Sequence, residues 1–136
     1  MNRSITGGCL CGAVTYRIED SFSDFYFCFC EQCRRVTGSA FASNLQTSTD
    51  NFEWTSGENL VKRFDVKGRV FTKVFCTECG SGLPFLTQSG ESMLVPAGSL
   101  DEVPGIETTA HIFCAETADW YKSGQGKPEF DGFKET

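Results

Sequence analysis

The sequence predicts a compact, mainly β domain, and three observations lead there. Val14, Tyr16 and Ile18 alternate with Thr15 and Arg17, and Phe71, Lys73 and Phe75 alternate with Val70, Thr72 and Val74. A period of two is that of an extended strand with one face buried. Short apolar runs punctuated by glycine recur along the chain with little helical periodicity. At 136 residues the chain forms one domain, long enough to bury roughly 68% of its unfolded surface.

In order, Gly7-Gly8-Cys9-Leu10-Cys11-Gly12 reads as a tight turn, because glycines flank both thiols. Val14 to Ile18 is a strand that ends at Glu19-Asp20-Ser21, and Phe25-Tyr26-Phe27 is a short buried strand delivering Cys28. Glu31 to Val36 has the composition of a helical turn, which would put Cys30 and Cys33 on one side. Thr37-Gly38-Ser39 breaks it, Ala40 to Leu45 resumes as strand, and Phe52-Glu53-Trp54 runs into a turn at Ser56-Gly57. Leu60 to Phe75 has the form of a hairpin about Lys67-Gly68. Leu83-Pro84-Phe85 and Met93 to Pro96 are short strands whose prolines mark edges or ends. Ala110 to Cys114 is a last strand candidate, Trp120-Tyr121 follows a polar turn, and residues 122–136 are a loosely held tail.

The eight cysteines carry the chemistry. The run Met1 to Gly7 lacks the apolar stretch of a secretory signal, and no run of about 18 apolar residues exists to span a membrane. A cytoplasmic protein is therefore expected, and clustered thiols in a reducing compartment point to metal or catalysis before disulfides. The net charge of -6 supplies no basic face for nucleic acid.

Seven thiols fall into three groups: Cys9-x-Cys11, Cys28-x-Cys30-x-x-Cys33 and Cys76-x-x-Cys79. Spacing alone does not decide how they are shared. Both outer pairs precede a glycine, as knuckle half-sites do, and each ends a strand candidate. Pairing Cys9, Cys11, Cys76 and Cys79 would give a closed structural zinc site. Cys28, Cys30 and Cys33 would then hold a second zinc with three sulfurs, leaving the fourth place to substrate, water or His111, the chain's only histidine. His111 reads otherwise as a core residue in a strand, and Cys114 as a buried inert thiol. Three thiolates reduce the Lewis acidity of the ion, so the site suits thiol activation better than hydrolysis. Arg34 and Arg35 could anchor substrate carboxylates, or simply be a solvated pair, and Ser39 could donate a hydrogen bond at the pocket mouth or simply cap a turn. A purely structural triplet, and a redox pair of Cys30 and Cys33, are the competing accounts.

Gly8-Cys9-x-Cys11-Gly12-x-Val14-x-Tyr16, Cys28-x-Cys30-x-x-Cys33-Arg34-Arg35, Gly38-Ser39-x-Phe41, Phe75-Cys76-x-x-Cys79-Gly80, His111-Ile112 and Trp120 together resemble the glutathione-dependent formaldehyde-activating enzyme family, to which the domain of centromere protein V is related. The resemblance runs over residues 4–121. It implies a β fold similar to methionine sulfoxide reductase B, with two zinc ions. The structural zinc would fall to Cys9, Cys11, Cys76 and Cys79, and the catalytic one to Cys28, Cys30 and Cys33. It also implies carbon–sulfur lyase activity on S-(hydroxymethyl)glutathione, made from formaldehyde and glutathione. A zinc-stabilised binding module is the alternative from a different class. One departure stands out: Phe29 occupies a place where the family often has histidine, which bears on substrate choice.

Overall fold

The computed structural model describes residues 3–134. Its first sheet is antiparallel, formed by β1 (Ser4–Gly8), β2 (Thr15–Glu19) and β5 (Phe52–Ser56) in that spatial order. The second sheet contains β3 (Asp24–Cys28), β4 (Ala42–Thr47), β8 (Phe85–Leu86), β9 (Met93–Pro96) and β10 (Ala110–Ile112). Its strand order is β10-β3-β4-β9-β8, antiparallel except where β10 runs parallel to β3. The expected hairpin is β6 (Val61–Asp65) against β7 (Thr72–Cys76). Two short helices, α1 (Glu31–Thr37) and α2 (Asp119–Ser123), complete the elements that matter for the site. No described helix is long and apolar enough to cross a membrane.

The main core lies where the first two sheets meet. Alternate residues of β1 and β2 point inward, so Ile5, Tyr16 and Ile18 pack with Leu45 of β4 and Val95 of β9. The Tyr16 ring is fully buried, and its hydroxyl ends 2.6 Å from Ser99 Oγ. Burial pushes the Tyr16 hydroxyl up to about 12, against the pull of the Ser99 hydrogen bond.

The ring also explains a difference from the sequence expectation. Gly7-Gly8 continues β1, and the turn comes later, closed by Gly12 N–H donating to Cys9 O at 3.1 Å. Gly7 is required there because the Tyr16 ring and the Ser99 carbonyl occupy the space a β-carbon would take. Gly7→Ala should therefore cost about 1–3 kcal/mol through overpacking, read as a lower thermal midpoint; an unchanged midpoint would contradict this packing.

Asp20 fastens the end of β2 to the 101–106 loop. Its carboxylate accepts from Arg3 at 2.9 Å and from Gly105 N–H at 2.9 Å. Burial alone would raise its pKa, but the Gly105 amide and the Arg3 guanidinium together hold it below the usual carboxylate value. A depressed folded-state pKa contributes stability above the unfolded value and loses it as pH falls through the folded one. Asp20→Asn should lower the melting point at pH 7 and shrink the loss of stability on acidification below pH 4; parallel curves would exclude this linkage.

The last strand is shorter than expected. Phe113 has a φ of 55°, in the left-handed region that ends an extended run, so β10 stops at Ile112. Two expectations are corrected as a result. Cys114 falls in a helical turn and is exposed, where a buried strand thiol was expected. His111 sits on an edge strand and is also exposed, its ring stacked on Phe27 at 5.1 Å.

Candidate metal centres

Four thiols converge between the first sheet and the hairpin. β1 leads into Cys9 and the turn bearing Cys11, and β7 ends in Cys76 before the turn carrying Cys79. The four Sγ atoms lie within 4.8 Å of one another, with 3.5 Å between Cys9 and Cys11 and 3.9 Å between Cys11 and Cys76. Zinc–sulfur bonds of 2.3 Å in a tetrahedron imply sulfur separations of about 3.8 Å. All eight cysteines are free, so these contacts are not disulfides.

Backbone and side chain are arranged for thiolates. Val14 N–H donates to Cys9 Sγ at 3.3 Å and Glu78 N–H to Cys76 Sγ at 3.4 Å. The Ser81 hydroxyl, then the Ser81 and Cys11 amides, bring the Cys79 thiol down to about 5. Cys11 is pushed the other way, to about 12: the Ala13 amide favours its thiolate, but Cys9, burial and the remaining sulfurs oppose another negative charge. Such a set ionises completely only around a cation, and the donors fit a metal ion. Cys76, Cys9, Val14, Val74 and Leu83 form one apolar cluster, so two of the four sulfurs are built into a core, while Cys11 is exposed.

The triplet forms a second group. β3 delivers Cys28, Cys30 caps α1 by accepting from Cys33 N–H at 3.3 Å, and Cys33 lies in the first turn of α1. Their Sγ atoms also lie within 4.8 Å of one another, and all three residues are buried. Ala42, Phe71 and Ile112 pack around them. Burial raises the Cys28 and Cys33 thiols above their ordinary value, so a metal here must displace protons. His111 is not part of the group: among the described residues the donor set stops at three.

What separates the two groups is access. A cavity of about 1140 Å³ is lined by Cys28, Cys30 and Cys33, whereas Cys9 is the only member of the four-sulfur group on its wall. β4, β9, Phe71 and the Phe113 turn supply other parts of the lining.

Arg34, Arg35 and Ser39, expected at the substrate, do not line this cavity. Successive helical residues turn by about 100°, so Gln32, Cys33 and Val36 face the cavity while the two arginines turn away. Arg35 reaches Glu31 at 4.0 Å, Arg34 Nε is buried without a partner, and Ser39 N–H donates to Thr37 Oγ1. The basic residues on the wall are Arg69 and Lys73, which sequence reasoning passed over. The available signal for Lys73 was its place between Phe71 and Phe75 in the alternating run that includes β7. Burial pulls the Lys73 ammonium below its ordinary value, and the Cys33 thiolate works against that.

Phe29 lies behind the triplet. It is buried among Phe41 at 5.1 Å, Tyr121 at 5.4 Å and His111 at 5.7 Å. Of these rings only Phe41 reaches the cavity wall. Phe29 therefore bears on the site through the packing of Phe41.

A crystal structure of a Rhodobacter sphaeroides protein has a similar fold, with a TM-score of 0.62 and 24% identity, over 78% of this chain and 98% of that one. No curated protein matches the sequence. The sequence model of glutathione-dependent formaldehyde-activating enzymes matches residues 4–116, a span that contains both sulfur groups. By that match the chain belongs to the glutathione-dependent formaldehyde-activating enzyme family.

Proposed function

We propose that the protein is a zinc-dependent carbon–sulfur lyase acting on a thiol–aldehyde adduct such as S-(hydroxymethyl)glutathione. The observation that carries this reading is the contrast in access: three buried sulfurs share the wall of a large cavity, while most of the other four do not reach it. On this reading Cys9, Cys11, Cys76 and Cys79 hold a structural zinc, and Cys28, Cys30 and Cys33 a catalytic one. The fold then falls with the methionine sulfoxide reductase B type, and the protein works in the cytoplasm on a small-thiol partner.

A zinc ion in the triplet would supply the positive charge that lowers the pKa of a substrate thiol. The chain's own groups do the rest. Cys33 N–H donates to Cys30 Sγ, which steadies that sulfur as an anion. Phe71 and Ile112 shield the sulfurs from water and so strengthen the electrostatics at the reacting end. The cavity holds thiol and aldehyde portions together, which removes much of the entropic barrier to joining them.

Adduct formation followed by NMR, with zinc-loaded protein, formaldehyde and glutathione, is the direct test. Acceleration over the uncatalysed rate is expected, together with two zinc ions per chain by elemental analysis. A rate equal to that of the blank with glutathione and with other small thiols would remove the reading.

A further inference from the structure

The charged residues on the cavity wall are unevenly matched. Three are acidic, and each has a hydrogen-bond or ionic partner, though only Glu31 meets a cation. Glu31 reaches Arg35, Asp101 accepts from Thr6 Oγ1 at 2.6 Å, and Glu116 accepts from Glu31 N–H at 3.1 Å. The two basic ones lack any acidic partner among the described residues. Arg69 reaches only the neutral side-chain oxygen of Gln32, at 3.0 Å. Lys73 projects from β7 with its ammonium lying against Gly82. It is half-buried and shares the cavity wall with Cys33.

Holding an ammonium half out of water without a carboxylate is unfavourable. It is also unexpected in a chain with a net charge of -6, where acidic partners are plentiful. The missing anion is one that arrives with the ligand. We propose that Lys73, assisted by Arg69, is a carboxylate-binding subsite that selects thiols carrying a carboxylate. This rests on the small-thiol reading above and adds the residues that choose the thiol. Glutathione has a carboxylate near each end, which two separated cations can meet. Lys73 does not react; it positions the ligand so that its sulfur falls at the triplet.

Calorimetric titration of the zinc-loaded protein tests this without requiring turnover. The probes are glutathione and its diethyl ester, with 3-mercaptopropionate and 2-mercaptoethanol as a smaller charged and neutral pair. The wild type should prefer the charged member of each pair. Lys73→Met should weaken glutathione by about tenfold or more, the range of one charge-assisted hydrogen bond. The ester should change by less than about twofold on the same comparison, and Lys73→Arg should restore most of the affinity. Equal weakening of acid and ester, equal wild-type affinity for both, or no glutathione binding would each overturn the proposal. Lys73-dependent binding without turnover would leave this subsite standing and remove the lyase reading. Full turnover with unchanged glutathione affinity in Lys73→Met would do the reverse.

Discussion

Cys76→Ser should yield a chain that is unfolded at room temperature, with no cooperative thermal transition and no bound zinc. Cys76 is fully buried at the end of β7, and its sulfur lies 3.9 Å from that of Cys11. The group joins two segments far apart in sequence, the turn after β1 and the turn after β7. Apparent zinc-binding energies of about 10–16 kcal/mol in small structural sites match or exceed a whole domain's stability of about 5–15 kcal/mol. Losing one of four donors forfeits much of that and leaves a hydroxyl in an apolar cluster with Val14, Val74 and Leu83. A strong chelator should do the same to the unmodified protein. Circular dichroism showing a folded, cooperatively melting Cys76→Ser chain would mean that this sulfur group does not hold the architecture.

Cys30→Ser should have the opposite profile, with folding kept and turnover lost. Cys30 is the N-cap of α1, its sulfur accepting from Cys33 N–H. Serine is among the preferred residues at such a cap, so the start of the helix survives. Its surroundings are the triplet cluster, separate from the one that contains Cys76. The thermal midpoint should fall by only a few degrees, about 1 kcal/mol in a domain of this size. Zinc content should drop from two ions per chain to one. Lyase turnover should fall by at least about 100-fold, the scale on which disturbed metal shells lose activity. Retained turnover with one zinc would end the catalytic role of the triplet. A binding module would show no turnover to lose in either form, and a redox enzyme would depend on Cys30 oxidation with no metal there.

Local chemistry was legible in the sequence because it is written in short spacings. Cys28, Cys30 and Cys33 had to stand together whatever the fold, since a strand end and one helical turn separate them. The hairpin from β6 to β7 was equally plain from its alternation about Lys67-Gly68. Where a single dihedral or a long-range neighbour decides, the sequence falls silent. The left-handed φ of Phe113 exposes Cys114 on a turn, and nothing in the run Ala110 to Cys114 signals it. Gly7-Gly8 reads equally well as turn or strand until the Tyr16 ring is seen to fill the space against it.

By itself the sequence determined the donor types, their grouping and the family, because these depend on residue identity and separations of two or three positions. Tertiary structure alone decided that β1 and β7 bring their sulfurs to a common point, that the triplet opens on a cavity, and that Lys73 and Arg69 reach the wall that Arg34 and Arg35 turn away from. The packing of distant strands sets those directions, and it is not encoded in spacing along the chain.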